Sequence, residues 1–398
     1  MKKFIFITVV AVIGLIACNK TEIENLLPTQ KSIAESFNDK PWTYLQNKYL
    51  DLVLAYELKK IEEEYNPEEF SYEKKIEIIL HLDSIMGDET KEDVYFYENL
   101  EIALMAEINS HPYIQEFIGN FALKENDAND MIIYTGYSDC YDAISKFEIL
   151  KYYEEDVDVI AHYSKRNNLT GDEEWNPFPI ESSGQKAVRY KLHLTWGKTV
   201  EYMWNGVNST VKTRTISAMA DWRAAANNKI TFSEITKNVN WNKFLWCIGC
   251  KYFIRISQHS NNNGSSWSSM GKVPYAHINY STGASYPRNY RHELGHNLGL
   301  DHEHQRPDRD NYIKYHSSNV TSGNGKYFSK MTADSYNYYG STFDFESIML
   351  YDSHAFAKNG YNGIPADATL TKKDGITIWD APANISETDK NVIRQMYP

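Results

Sequence analysis

The chain has 398 residues, of which 42% are apolar and 24% are charged. This composition excludes an intrinsically disordered chain and is enough to bury the cores of about two domains. The net charge of −12 is uneven, because residues 19–186 carry −21 and residues 187–398 carry +7. The positive part has no aromatic stacking motif, so we expect no nucleic-acid partner.

Residues 1–18 predict an export signal. Lys2 and Lys3 precede an apolar run, Phe4–Ala17, that is too short to span a bilayer as a helix. The run ends in Leu15-Ile16-Ala17-Cys18, which resembles the lipobox of bacterial lipoproteins, whose cysteine is lipidated. An ordinary cleaved signal is the alternative. In both cases we expect an exported protein, either secreted or held at a bacterial cell envelope by a lipid on Cys18.

The acidic part, residues 19–186, is predicted to be mainly helical. A polar linker to about Asp39 precedes apolar positions at helical spacing between Trp42 and Phe117, which predict three or four amphipathic helices. Residues 167–185 are rich in Asn, Ser, Gly and Pro, so we expect an exposed linker and place a domain boundary there. Opposite charge favours docking of this part on the basic part, but a solvated acidic surface would give the same composition.

Residues 187–398 predict a second domain of α+β class. Alternating apolar residues at 189–194 and at Val200–Met203 have the period of two that is typical of strands. A helical pattern from Ile216 to Ala226 and a strand at Ile230–Ile235 follow, and this order favours a mixed sheet with packed helices. A last helix should begin at Ser386, with Asp389 three residues on. The sequence contains no internal repeat and no later membrane segment.

Three cysteines follow the signal segment, namely Cys140, Cys247 and Cys250. Cys247 and Cys250 could close a small loop or bind a metal, but no further Cys or His ligands lie nearby at suitable spacing. In an oxidising compartment we therefore expect a local disulfide between them, which leaves Cys140 unpaired.

Residues 291–311 contain the pattern that predicts chemistry. His292 and His296 are four residues apart, so on a helix both imidazoles project from one face, about 6 Å apart along the axis. A continued helix would carry His302 about 9 Å further, so the helix must end before it. Gly299 can adopt the left-handed conformation that ends helices and lets the chain turn back. The spacing therefore predicts one divalent ion held by three histidines.

Zinc is the metal that this ligand set favours. Three neutral imidazoles leave one coordination position open, and a water bound there has its pKa lowered toward 7. Glu293 is then the predicted general base for that water. The whole spacing H-E-x-x-H-x-x-G-x-x-H argues against a merely solvated histidine-rich helix, because it rarely arises by chance. His304, His316 and His354 have no partner at ligand spacing and receive no role.

The spacing resembles that of the metzincin metallopeptidases, which place a methionine-containing turn beneath the zinc. Phe345–Tyr351 resembles that turn, with Met349 as its methionine. Residues His302–Asp310 resemble the H-E-H-x-R-x-D-R-D signature of the astacin family. The resemblance covers about residues 187–398, because Trp196–Tyr202 is similar to the opening strand of astacin catalytic domains and the final helix to their last one.

The resemblance implies a twisted mixed sheet with an active-site helix and a zinc cleft between two subdomains. It implies that Tyr351 is a fifth zinc ligand, which swings away when substrate binds and donates a hydrogen bond to the oxyanion. It also implies that Glu303 anchors the N-terminus of the mature enzyme. Two features depart from the family. Its usual pair of disulfides cannot be built from Cys247 and Cys250, and Leu350 follows the methionine where histidine is common.

Astacins are made with an inhibitory propeptide whose Phe-x-Gly-Asp motif puts aspartate on the zinc, and residues 19–186 stand where such a pro-domain belongs. Leu169–Asp172 resembles that motif with leucine for phenylalanine, so Asp172 is one candidate zinc ligand of the zymogen. Cys140 is the other, because a thiolate is an excellent zinc ligand and some bacterial relatives resemble this arrangement. A third interpretation is that neither residue binds zinc, with Cys140 a buried small side chain and Asp172 an ordinary surface residue.

The sequence therefore predicts an exported zinc endopeptidase zymogen that acts on protein or peptide substrates and is inhibited by its own pro-domain. The predicted division is a signal at 1–18, an acidic helical pro-domain at 19–186 and the peptidase domain at 187–398. One alternative is an exported, metal-stabilised binding or adhesion protein, against which the intact Glu293 argues. The other is a peptidase whose N-terminal part is a permanent recognition domain.

Overall fold

The computed structural model describes residues 37–61, 63, 66, 70–123, 130–136, 143–176, 195–260, 266–273, 275–283, 286–333 and 341–398. In these residues the α-helices are α1 (Pro41–Lys60), α2 (Tyr72–Ile85), α3 (Lys91–Ser110), α4 (Pro112–Phe121), α5 (Lys146–Glu154), α6 (Val159–Asn167), α7 (Ser209–Ala225), α8 (Val239–Cys247), α9 (Pro287–Asn297) and α10 (Glu387–Met396). None of these described helices combines the length and apolar character that a membrane crossing needs.

The strands of the described residues are short, and most lie in the second half of the chain. They are β1 (Ile132–Tyr134), β2 (Ala143–Ser145), β3 (Glu174–Trp175), β4 (Thr199–Asn205), β5 (Thr231–Glu234), β6 (Ile254–His259), β7 (Trp267–Ser268), β8 (His277–Ser281), β9 (Ile313–Tyr315), β10 (Lys330–Met331) and β11 (Leu370–Lys372).

The chain divides into two compact units that interleave along the sequence. Of the described residues, the first unit contains those up to 133, those of 145–156 and those of 235–251. The second unit contains the other described residues, from 134–144, 157–234 and 252–398. The short segment 235–251 thus belongs with the N-terminal helices, although it is distant from them in sequence.

The first unit is a helical bundle in which α8 packs against α3. The ring centre of Trp241 on α8 lies 6.0 Å from that of Tyr97 on α3, in an edge-to-face arrangement. Lys243 on α8 forms an ion pair of 2.7 Å with Glu101 on α3. This ion pair joins the later segment to an N-terminal helix within the first unit.

The second unit contains a five-stranded sheet in the order β5-β4-β6-β8-β7. The strands β5, β4, β6 and β8 are parallel, whereas β7 runs antiparallel to β8 at the edge. Helices α7 and α9 pack against each other, and α9 also packs against β7 and β8. Trp222 of α7 and Leu294 of α9 are buried with Ile256 and Ile278 of the sheet. The mixed sheet with packed helices that the sequence predicts is confirmed.

The second unit has two hydrophobic cores, and the chain passes from one to the other at residues 348–350. Ile348 and Met349 belong to the core between the sheet and its helices. Leu350 belongs to the other core, with Phe328 and Leu370. The segment that carries the methionine therefore joins the two cores.

Local patterns in the second unit agree with the elements that form. The strand β4, the helix α7 and the strand β5 lie where the sequence predicts a strand, a helix and a strand. Ser386 caps α10 and forms a capping box with Asp389. The linker predicted over 167–185 is wrong in part, because Glu174–Trp175 forms β3, which pairs in parallel with β10. The predicted strand at 189–194 and the lipobox residue Cys18 lie outside the described residues.

Candidate metal centre

The helix that carries the first two histidines, α9, ends in a Schellman motif. Gly299 has φ +99°, and its N–H donates to the carbonyl of His296 at 2.8 Å. The N–H of Leu300 donates to the carbonyl of Gly295 at 2.9 Å. A glycine just past the helix takes this conformation without a Cβ penalty. The chain consequently turns back and brings His302 beside the helix.

The Nε2 atoms of His292, His296 and His302 converge on one point. Their separations are 3.1 Å between His292 and His296 and 3.2 Å for each of the other two pairs. All three side chains are buried. Among the His, Cys, Asp and Glu side chains of the described part of the chain, these three histidines form the cluster that could hold a metal ion.

Each ring uses its other nitrogen, Nδ1, to bond an oxygen atom. The partners are the Ile348 carbonyl for His292 (2.9 Å), the Leu300 carbonyl for His296 (2.8 Å) and the Gln305 side-chain oxygen for His302 (2.8 Å). The orientation of the Gln305 amide follows from its nitrogen, which donates to the Ser329 carbonyl at 3.1 Å. Because these oxygens can only accept, Nδ1 carries the proton in each ring and Nε2 has a bare lone pair.

This arrangement fits a zinc ion. Three bare nitrogens that face one another repel, and a cation between them removes that repulsion. Zinc binds imidazole nitrogens at about 2.0–2.1 Å with tetrahedral geometry, which places the nitrogens about 3.3 Å apart. Burial, followed by the charges of His296, Arg288 and His302, lowers the pKa of His292 well below its usual value. His292 is therefore neutral, which is the form that binds metals.

Glu293 follows the first histidine on α9 and is 6% exposed. Burial raises the pKa of Tyr280 and lowers that of Arg288, and the charge of Glu293 acts to raise both pKa values, so the Glu293 carboxylate lies in the same buried region as these side chains. A carboxylate beside a metal site is chemically suited to take a proton from a water molecule.

Tyr351 lies beside the three histidines. Its ring centre is 4.8 Å from that of His302 and 4.1 Å from that of His304, onto which it stacks. His304 is fully buried, and its Nε2 lies 2.9 Å from the carbonyl of Tyr327. Reasoning from the sequence assigned no role to His304, although its position two residues after His302 was a signal that both rings face the same region. The structure shows that His304 supports the ring of Tyr351.

The turn around Met349 is held by several elements of the second unit. The carbonyl of Met349 accepts from the N–H of Glu303 at 3.2 Å, and the carbonyl of Tyr351 accepts from the indole of Trp379 at 2.8 Å. Asp389 on α10 accepts from the N–H of Ile348 at 2.8 Å. The residues on either side of the methionine are therefore fixed relative to the histidine cluster.

Glu303 lies next to His302 and is buried. Its Oε1 accepts from Arg306 Nη1 at 3.0 Å and from the N–H of Asp344 at 2.8 Å. Burial raises the pKa of Glu303 to about 7, and the charge of Arg306 opposes that shift. The anchoring of a mature N-terminus by Glu303 stays a prediction.

Asp172, one of the two candidate zinc ligands of the zymogen, is not among the three residues of the histidine cluster, and its ligation of the metal stays a prediction. The residue is exposed, and the backbone just before it accepts two hydrogen bonds. The carbonyl of Gly171 accepts from Arg309 Nη2 at 2.8 Å, and the carbonyl of Thr170 accepts from the Tyr315 hydroxyl at 2.6 Å. These bonds hold the turn, and the charge of Asp172 acts on both Arg309 and Tyr315.

The expected disulfide between Cys247 and Cys250 is also corrected, because both residues are thiols. Cys247 is buried at the end of α8, and Gly249, at φ +72°, turns the chain before Cys250. Burial raises the pKa of Cys250 to about 12, which keeps its thiol protonated. Cys140, the other expected zinc ligand of the zymogen, lies outside the described residues.

Known proteins resemble this chain mainly over its second half. The family model for astacin, a family of peptidases, matches residues 188–398. The zinc metalloproteinase nas-7 of Caenorhabditis elegans is 39% identical over 106 residues, 27% of this chain and 26% of that protein. The zinc metalloproteinase nas-6 of the same organism is 37% identical over 107 residues, 27% of this chain and 30% of that protein.

The solved structure of high choriolytic enzyme 1, a hatching enzyme zinc-protease from Oryzias latipes, matches with a TM-score of 0.40 and 22% identity. The match covers 51% of this chain and 94% of that one. Against the curated relatives above, the chain spans between about a quarter and a third of their own length.

Proposed function

Because the chain belongs to the astacin family of peptidases, we propose that it hydrolyses protein or peptide substrates as a zinc endopeptidase. In this proposal His292, His296 and His302 bind one catalytic ion. The observation that carries the proposal is the convergence of three Nε2 atoms, each left unprotonated by the bond that its own Nδ1 makes.

The side chains around the cluster supply the remaining chemistry of the proposal. Zinc, when bound, polarises the scissile carbonyl and lowers the pKa of water. Glu293 accepts a proton from the attacking water and passes it to the leaving amine. Tyr351 donates a hydrogen bond to the oxyanion that develops on the substrate. The buried position of Glu293 and the stacking of Tyr351 on His304 support these roles.

The N-terminal part is proposed to be a removable pro-domain over 19–186 that precedes a peptidase domain at 187–398. Residues 166–175 support this, because they bind within the second unit. Their contacts include the bond from Arg309 to Gly171 and the pairing of β3 with β10. Cys140 and Asp172 remain the candidate zinc ligands of the zymogen. Export by residues 1–18, with a lipid on Cys18 at a bacterial envelope, belongs to the same proposal.

A second candidate is a peptidase whose N-terminal helices stay attached as a permanent domain. It is favoured by the bonds of Trp241, which lies in the region that the family model matches. The backbone N–H of Trp241 donates to Glu89 at 2.9 Å, and its indole donates to Asp83 at 3.2 Å. A segment of the family region is thus bonded to α2 and to the loop that follows it, within the first unit.

The test of the peptidase proposal uses the purified full-length chain, with and without limited trypsin and a chelator, on a denatured protein substrate. We expect hydrolysis that the chelator abolishes. Glu293→Gln should retain zinc and lose a factor of about 10²–10⁴ in rate, whereas Glu387→Gln, an exposed glutamate on α10, should behave as the wild type. Hydrolysis by Glu293→Gln at the normal rate would refute the assigned base, and chelator-resistant or absent hydrolysis would refute the zinc peptidase.

The same trypsin-treated sample separates the two candidates for the N-terminal part. If that part is a removable inhibitor, activity should appear only after cleavage and separation of the fragments by size-exclusion chromatography. If it is a permanent domain, the uncut chain or the co-eluting fragments should be active.

A further inference from the structure

We infer that Arg288 is a positioning residue for the proposed peptidase reaction, because its one guanidinium holds the backbone on both sides of Met349. Arg288 Nη2 donates to the carbonyl of Leu350 at 2.9 Å and to that of Ile348 at 3.4 Å. Its Nε donates to the carbonyl of Pro382 at 2.9 Å. The inference rests on the proposed function and adds a residue that the zinc motif does not contain.

The carbonyl of Ile348 connects Arg288 to the metal site. It is also the oxygen that His292 Nδ1 bonds at 2.9 Å. Arg288 and His292 are four residues apart on α9, so both side chains leave the same face of the helix and reach the same peptide. Arg288 thereby fixes the acceptor that sets the orientation and tautomer of His292.

The carbonyl of Leu350 connects Arg288 to Tyr351. That carbonyl belongs to the peptide bond that leads into Tyr351, so the guanidinium holds the backbone from which the phenol projects. The groups that act electrostatically on Arg288 lie in the same region. Burial lowers the pKa of Arg288, and Asp352, Glu293 and Tyr351 oppose that shift.

The geometry requires a guanidinium rather than any cation. Arg has five donors in a rigid planar fork and can bond several carbonyls at once, whereas Lys places three donors on one flexible point charge. Arg288→Lys should therefore keep the charge but lose part of the positioning. Displacement of a catalytic group by about 1 Å can cost about a hundredfold in rate.

Arg291 provides a matched control on the same helix. It donates to Asp221 at 2.7 Å and to the carbonyl of Ala383 at 3.0 Å. It therefore ties α9 to the residue after Pro382, but its bonds do not reach the turn around Met349. Arg291→Met should therefore remove side-chain bonds from the same helix without disturbing Tyr351 or His292.

The test compares Arg288→Met, Arg288→Lys and Arg291→Met in the full-length chain, all treated identically with trypsin. We expect Arg288→Met to lower kcat by about 10- to 100-fold, with KM changed by less than about threefold, and Arg288→Lys to recover part of the loss. Arg291→Met should stay within about twofold of the wild type. Equal kcat for the two Met variants, at equal folded fraction, would overturn the inference.

Two further readouts distinguish positioning from general stability. In the Tyr351→Phe background, Arg288→Met should lower kcat by a smaller factor than in the wild type, because the part of its effect that acts through the phenol is already lost. Losses that multiply would contradict this route. The absorption spectrum of the Co²⁺-loaded protein should change in Arg288→Met but not in Arg291→Met. The Co²⁺ spectrum can be recorded without catalytic turnover. An inactive wild type would therefore refute the proposed function, while the spectra would still show whether Arg288 positions the metal site. Identical spectra for the wild type and Arg288→Met would overturn the inference.

Discussion

Gly295, between the first two histidines on α9, lies directly against Met349. A Cβ built on Gly295 would come within 2.7 Å of the Met349 sulfur and 3.1 Å of the Trp222 ring. Gly295→Ala must therefore displace the Met349 side chain or the helix. We expect a loss of about 1–3 kcal/mol in the free energy of unfolding, which is usual for an overpacked core, together with weaker zinc binding.

Gly119 on α4 is the control for this substitution, because an added Cβ there meets nothing within 4 Å. Gly119→Ala should leave stability unchanged or raise it by about 0.5–1 kcal/mol, since alanine is the better helix former. Denaturant unfolding and zinc titration of both variants measure the difference. Full stability and full zinc affinity in Gly295→Ala would show that the contact is loose.

The parts of the site that depend on local geometry could be predicted from the sequence. The helical spacing of His292 and His296 is fixed by the pitch of a helix, and the turn at Gly299 by the conformational freedom of glycine. The capping box at Ser386 and Asp389 likewise involves neighbours three residues apart. Each of these patterns needs information from only a few consecutive residues.

The parts that depend on distant backbone atoms could not be predicted. Arg288 bonds carbonyls about 60 residues away, and a carbonyl has no residue identity that a sequence pattern could reveal. The bonds from Arg309 and Tyr315 to the carbonyls of Gly171 and Thr170 could not be predicted for the same reason. The close approach of Gly295 to the methionine is a contact of the same long-range kind.

Removal of the metal should destabilise the second unit. A ligand that binds the folded state alone stabilises it by about 2.7 kcal/mol when present at 100 times its dissociation constant. We expect a chelator to lower the unfolding temperature and added Zn²⁺ to restore it. His296→Ala should abolish this response. His316→Ala should keep it, because His316 bonds Thr371 outside the cluster, and a zinc-independent unfolding temperature in the wild type would contradict the site.

Acid should weaken the first unit through Asp93. Burial alone would raise the pKa of Asp93, but bonds from Lys60, Thr90 and Tyr56 lower it to about 2. A carboxylate whose pKa is lower folded than unfolded, where it is about 3.9, stabilises the fold above the unfolded value. That stability is lost as the pH falls through about 2.

The corresponding variant is Asp93→Asn. It should be less stable than the wild type by about 2 kcal/mol near neutral pH, and the difference should shrink between about pH 4 and pH 2. Amide hydrogen exchange in α3 measures this difference in stability at each pH. The control is Glu92→Gln, which changes a neighbouring exposed residue and should differ little from the wild type at any pH. A gap between Asp93→Asn and the wild type that does not depend on pH would rule out the carboxylate as its cause.

The turn at Gly171 should matter more for latency of the uncut chain than the carboxylate that follows it. Gly171 has φ +103°, and a Cβ there would lie 2.5 Å from the Tyr315 ring, so Gly171→Ala should release residues 166–175 from their contacts. Asp172→Ala should have little effect, because the carboxylate is exposed and outside the histidine cluster. If the N-terminal part inhibits the enzyme, Gly171→Ala should raise the activity of the uncut chain several-fold and speed amide exchange at Glu174 and Trp175. Activation by Asp172→Ala but not by Gly171→Ala would mean that the carboxylate, and not the backbone of the turn, maintains latency.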